Sequence, residues 1–188
     1  MPFLIVIFIV LAAYYYFLGN GYKKYNRPLY YYYRQRIKRS RLTSYQKGDL
    51  LENFVNDNLF PDSHYVLVHK THDHFQNSKR FVESSLKPDF GFRCKNTGRE
   101  FYVEVKLRNM VTDGKIVWTN SEQLARYNSI NQRTPVFLLL GIGNPTHPSA
   151  VCLLPLHKAN YIGLFPSYLD KFRIPVNSFV SPNYLWSL

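Results

Sequence analysis

Asp89, Glu104 and Lys106 are the residues of this 188-residue chain whose types and spacing could do chemistry. Pro88-Asp89 opens a strand-like run, Phe90–Cys94, and Phe101–Leu107 makes a second run around Glu104-Val105-Lys106. Between them, Lys95-Asn96-Thr97-Gly98 has turn chemistry, with Gly where a positive φ is easiest. Side chains of a hairpin alternate faces, so Glu104 and Lys106 should project to one side, Val103 and Val105 to the other. Two carboxylates and one ammonium would then converge at a sheet surface. That grouping suits a divalent cation and a water molecule attacking a phosphodiester.

The elements that must position these groups are legible from periodicity. Leu50, Leu51, Phe54, Val55 and Leu59 follow helical spacing over 44–59, with Ser44 as the expected N-cap and Pro61 ending the segment. His64–His69 alternates like a strand, and 71–85 is polar and loop-like. After the hairpin come a loop at Asn109–Gly114, a short extended piece at Lys115–Trp118 and a helix over 121–132. That helix is capped by Thr119 or Asn120 and shows Leu124, Tyr127 and Ile130 on one side. Val136–Ile142 is a continuous apolar run, as in a strand covered on both faces. A break is expected at 144–149, which holds Pro145 and Pro148. Ala150–Leu154 is expected as a further strand, and short helical pieces at best follow residue 155. Helix, three strands, helix, strand predicts an α/β fold with a mixed sheet flanked by helices.

Three motifs carry a resemblance. Pro88-Asp89 with Glu104-Val105-Lys106 resembles the PD-(D/E)xK nuclease superfamily, and the element order is similar to its αβββαβ core. Gly48-Asp49-Leu50-Leu51-Glu52 resembles the G-x-x-x-E helix motif of its restriction-endonuclease-like and Holliday-junction-resolvase-like members. Gln123-Leu124-Ala125-Arg126-Tyr127 is similar to the Q-x-x-x-Y motif of several branches. The resemblance covers residues 44–142. It implies a restriction-endonuclease-like fold and Mg²⁺-dependent hydrolysis of DNA, with Mn²⁺ as a substitute and endonucleolytic action expected. It implies Asp89 and Glu104 as metal ligands, with the Val105 carbonyl as a further ligand.

The same reading gives each side chain a role. Glu52, from its helix, could reach the metal directly or through water. Lys106 would orient or polarise the attacking water and offset charge developing at phosphorus. Gln123 would contact the scissile region or the substrate backbone, while Tyr127, one turn on, could simply pack. Arg108, Arg126 and Lys87 could touch phosphates or be plain surface charge. A different class of function stays open: a non-catalytic nucleic-acid- or protein-binding module on a nuclease-like scaffold.

Composition bounds the rest. Residues 3–18 carry no charge and hold Tyr14-Tyr15-Tyr16 toward their end, which suits a single-pass anchor with an interfacial aromatic belt. A cleaved signal peptide would need a basic region before the apolar run, and none precedes it. Residues 19–47 hold nine basic and no acidic residues, so most of the net charge of +12 lies beside the anchor. Positive flanks stay cytoplasmic, which directs the following domain to that side. Four parts are therefore expected: a transmembrane anchor (1–20), a basic aromatic linker (21–43), a nuclease-like domain (44–155) and an extension packed on it (156–188). Expected partners are nucleic acid, DNA above all, the membrane, and a second copy of the chain. Cys94 and Cys152 are too few for a disulfide framework and read as buried thiols. His69, His72, Asp73 and His74 do not match structural zinc spacings, and Trp118 and Trp186 read as packing residues.

Overall fold

The computed structural model describes residues 28–29, 42–71 and 86–188. The expected anchor, most of the expected basic linker and all but the first residue of the loop expected over 71–85 lie outside them. Among the described residues no helix is long and apolar enough to cross a membrane.

Helix α1 (Ser44–Phe54) is capped by Thr43 rather than by the expected Ser44. Thr43 accepts from the Gln46 N–H while the Gln46 side chain accepts from the Thr43 N–H, a reciprocal capping box that a cap at Ser44 would forgo. The helix loosens into a π-helical turn, Val55–Leu59, which keeps Val55 and Leu59 inside. Strands β1 (Tyr65–Lys70), β2 (Phe90–Cys94) and β3 (Glu100–Leu107) follow. The β2–β3 turn has Gly98 at φ +68°, as its composition predicts. After the two-residue β4 (Ile116–Val117) comes α2 (Ser121–Asn131), capped by Asn120.

Strands β5 (Val136–Asn144) and β6 (His147–Pro155) form a tight hairpin. The expected break at 144–149 is therefore only a turn, and the second strand starts at residue 147. Pro148 is tolerated because it pairs with Gly143 at an irregularity in the register, where its missing N–H is not needed. Short pieces complete the chain: β7 (Gly163–Leu164), α3 (Pro166–Leu169), β8 (Arg173–Ile174) and α4 (Pro182–Leu185).

The main sheet runs β1-β2-β3-β5-β6-β8, and β4 pairs with β7 in a separate ribbon. Only β3 and β5 are parallel, joined through α2; the other neighbours are antiparallel. The result is a mixed sheet with a core on each face. On the α1 side lie Phe101, Val103 and Val105 of β3, Phe137 and Leu139 of β5, and Val151 and Leu153 of β6. On the α2 side lie Val136, Leu138 and Leu140 of β5 with Ala150, Cys152 and Leu154 of β6. Both cores draw on sequence outside 44–155. Leu185 joins the first, while Leu29 is fully buried in the second and donates its N–H to the Asp170 carboxylate.

One row breaks this pattern. Along β3 the α2-facing positions read Tyr102, Glu104, Lys106, and register sets Glu104 beside Leu138 and Lys106 beside Leu140. Ionised groups in a covered sheet face cost stability unless paired, so this is where fold and chemistry conflict.

Candidate functional site

The site forms where the end of β3 meets the start of β2. Phe90 pairs with Val103, so Asp89, one residue before the strand, falls beside Glu104 and Val105. The Val105 N–H donates to Asp89 Oδ2 at 2.8 Å. Asp89 thus takes over the hydrogen-bonding position that β2 would otherwise have filled.

Glu104 is the one buried charged side chain among the described residues, at 1 % exposure. Both of its oxygens are engaged. Tyr127 donates its hydroxyl to Oε2 at 2.6 Å, and the Lys106 ammonium pairs with Oε1. The Gln123 amide donates to Tyr127 Oη at 2.9 Å and reaches Oε1 at 3.4 Å. Gln123 is itself held by the Thr119 hydroxyl at 2.7 Å, and its N–H closes the Asn120 cap. Helix α2 therefore addresses Glu104 through Gln123 and Tyr127, which i, i+4 spacing puts on one helical face.

Helix α1 brings the remaining carboxylate from the opposite face. Leu51 packs onto Gly141 of β5, where any Cβ would meet the Leu51 methyls at 2.8 Å, and this close approach seats the next residue, Glu52, at the sheet's rim. Glu52 pairs with Lys70 of β1 at 3.8 Å. Glu52, Asp89, Val105 and Lys106 line a cleft of about 520 Å³ together with Lys47 and Arg108.

The electrostatics follow from the crowding. Burial pushes the Asp89 carboxyl well above its ordinary range, and Glu104 and Glu52 push it the same way; Lys106 and the Val105 N–H act against them without prevailing. For Lys106, burial pulls the ammonium down, but the Glu104 and Asp89 carboxylates more than offset it and hold it above its usual value. Lys106 is therefore a fixed positive charge rather than a free base. Burial, then Glu104, raises the Tyr127 hydroxyl far out of the physiological range, so it stays a donor.

Among the described residues no three His, Cys, Asp or Glu side chains are grouped closely enough to enclose a cation by themselves. The donors nonetheless suit a hard divalent ion. Mg²⁺ usually takes one or two carboxylates and keeps several waters, and Asp89, with Glu52 and Val105 in the same cleft and Glu104 beside it, supplies oxygen donors of that kind. The crowding that raises Asp89 is also what a divalent cation would relieve.

Of the expected residues, Glu52, Asp89, Val105 and Lys106 line the cleft, whereas Glu104 and Gln123 do not and are linked to it through the Lys106–Glu104 pair. The phosphate-contact candidates divide. Arg108 lines the cleft but spends donors on the carbonyls of Val117, Leu107 and Trp118. Arg126 stacks its guanidinium 5.6 Å from the Tyr127 ring centroid, and Lys87 is exposed outside the cleft lining. Trp118 and Trp186 pack against the cores. Sequence reasoning undervalued Tyr127, whose Q-x-x-x-Y spacing was the available signal. It also missed Lys47 and Lys70, which carried no signal at all. No family model, no curated protein and no solved structure matches this chain.

Proposed function

We propose that the chain is a metal-dependent nuclease of the PD-(D/E)xK type, with a restriction-endonuclease-like core, acting as a DNA endonuclease. One observation carries the reading: Asp89 lies beside Glu104 and Lys106 at the β2–β3 strand ends, α1 brings Glu52 into the cleft that Asp89 and Lys106 line, and α2 brings Gln123 to Glu104. The charged row in a covered sheet face has no packing rationale, and hydrolysis supplies one. Bound Mg²⁺, or Mn²⁺ in its place, would polarise the phosphate and lower the barrier to attack by water.

The chain's own residues do the rest. Asp89 and Glu104 would hold the ion. Lys106 orients the water and offsets charge at phosphorus as the new P–O bond forms and the bond to the leaving sugar oxygen breaks. Gln123 and Tyr127 keep Glu104 in one rotamer, and Lys47 offers a charge to the flanking phosphate. The uncharged run and basic block of residues 1–47 would tether this activity to the cytoplasmic face of a membrane.

The test is Mg²⁺-dependent cleavage of plasmid and linear DNA. Glu104→Ala and Lys106→Ala should each lower the rate by about 10²–10³, and EDTA should stop it. Undiminished cleavage in both variants would overturn the assignment.

A second reading has its own observation. Lys106 closes directly on Glu104, leaving neither oxygen of that carboxylate free, as in a scaffold that binds nucleic acid or protein without catalysis. Calorimetry separates the two, since absence of Mg²⁺ and Mn²⁺ affinity with DNA present selects the binding module.

A further inference from the structure

A second concave surface lies on the β4–β7 ribbon. It is a groove of about 430 Å³ whose lining includes Lys115, His157, Lys158, Tyr161, Phe165 and Tyr168. Its chemistry is two-part. Tyr161 and Phe165 are 74 % and 53 % exposed, an unusual outlay of aromatic surface on adjoining loops. Around them stand Lys115 and Lys158, and no acidic residue lines the groove. The Lys115 ammonium sits 5.2 Å from the Phe165 ring centroid, so a cation and a stacking face are presented together. Tyr168 is fixed by its hydroxyl donating to the Lys158 carbonyl at 2.8 Å.

The groove is wired to the carboxylate cleft. Arg108 lines the cleft and donates to the Trp118 carbonyl at 3.0 Å, and the Trp118 indole donates to the Tyr161 carbonyl at 2.7 Å. Two hydrogen bonds through one fully buried tryptophan thus tie the backbone of Tyr161 to a side chain that lines the carboxylate cleft.

We propose that this groove binds an unpaired nucleotide of the nucleic-acid substrate, the base stacking on Tyr161 and Phe165 and its phosphate meeting Lys115 and Lys158. The inference deepens the nuclease reading, on which it rests, by naming the substrate class: nucleic acid with a single-stranded segment beside the duplex. Stacking platforms edged by basic residues are what single strands require, whereas a paired duplex hides its base faces. Charge complementarity selects a polyanion, and the exposed rings select one with accessible bases.

The test is binding by the full chain in detergent, with EDTA present so that no strand is cut. The probes are a blunt duplex and the same duplex with a short single-stranded tail carrying 2-aminopurine. The tail should raise affinity about tenfold, and its fluorescence should change on stacking. Tyr161→Ala with Phe165→Ala should abolish the preference, Phe165→Tyr should keep it, and Lys115→Gln should lower the salt dependence of tail binding. Both aromatic rings are exposed, so their loss leaves the cores intact. Equal affinity for the two probes, or a preference unchanged in the double variant, overturns the proposal. So does a double variant that loses only its binding to anionic lipid vesicles. Tail preference without Mg²⁺-dependent cleavage would sink the nuclease and leave the groove standing; cleavage without tail preference would do the reverse.

Discussion

Asp89 concentrates the physics of this protein in one carboxyl group. Burial, then Glu104 and Glu52, hold it above its ordinary 3.8, so the native state keeps its proton at a pH where the unfolded chain has lost it. Its contribution to stability is therefore complete below 3.8 and is lost as pH rises through the raised value. The difference in thermal midpoint between wild type and Asp89→Asn, measured without metal, should shrink and then reverse in sign as pH rises through that window. Added Mg²⁺ should restore the wild type at neutral pH. A difference that stays flat with pH would show that Asp89 is not crowded in this way. Tyr127 is the complementary case. Tyr127→Phe removes the donor from Glu104 Oε2 and should cost about 1–3 kcal/mol in urea denaturation, because a buried charge loses a partner. Cleavage should fall about 10–100-fold, as for groups that orient a ligand. A merely packing tyrosine would leave both values unchanged.

At the scale of elements, the site depends on how α1, α2 and the β5–β6 hairpin grip β3. Asn109, two residues past the end of β3, clasps the Gly143 backbone with both side-chain atoms, donating to its carbonyl at 3.1 Å and accepting from its N–H at 2.6 Å. Gly143 sits at φ +101°, and a Cβ there would meet Ser149 Oγ at 2.6 Å. Gly143→Ala should therefore cost about 2 kcal/mol or more, read as a lowered urea midpoint. Asn109 also lines the cleft, so the same variant should cleave DNA more slowly at temperatures where it remains folded. An unchanged midpoint would mean the hairpin relaxes without strain. The expectation of a break here failed for a local reason. Two prolines in six residues read as a loop, but one lies in the turn and the other at the register irregularity, where neither interrupts the ladder.

Over the whole molecule, charge is segregated. The basic block of residues 19–47 accounts for most of the net +12, while the carboxylates of the site are gathered in the folded domain. Neutralising Arg34, Arg36, Lys38, Arg39 and Arg41 to Gln should weaken duplex binding at low salt. It should also flatten the plot of log affinity against log salt, by about 0.9 for every phosphate the block no longer neutralises. An unchanged slope would assign that block to something other than the nucleic-acid backbone. The domain also extends further than its motifs. Burying Leu29 and the 156–188 segment against both cores means that a fragment trimmed to 44–155 would expose apolar surface worth about 1.5–3 kcal/mol per large side chain.

The amino-acid order alone determined the helix over α1, the β2–β3 hairpin with its Gly98 turn, the doubly buried β5 and the helix α2, whose cap it left between Thr119 and Asn120. Each is set by periodicity and turn chemistry within a dozen residues. It also singled out Asp89, Glu104 and Lys106, because carboxylates and an amine on otherwise apolar strands are conspicuous, while the resemblance of two helical motifs added Glu52 and Gln123. Tertiary structure alone decided that the Tyr127 hydroxyl meets Glu104 and that Lys70 answers Glu52. It likewise joined Lys115 to Phe165 across the β4–β7 ribbon. These partners are contributed by elements distant in sequence, and a pairing made by packing leaves no period or spacing along the chain by which to find it.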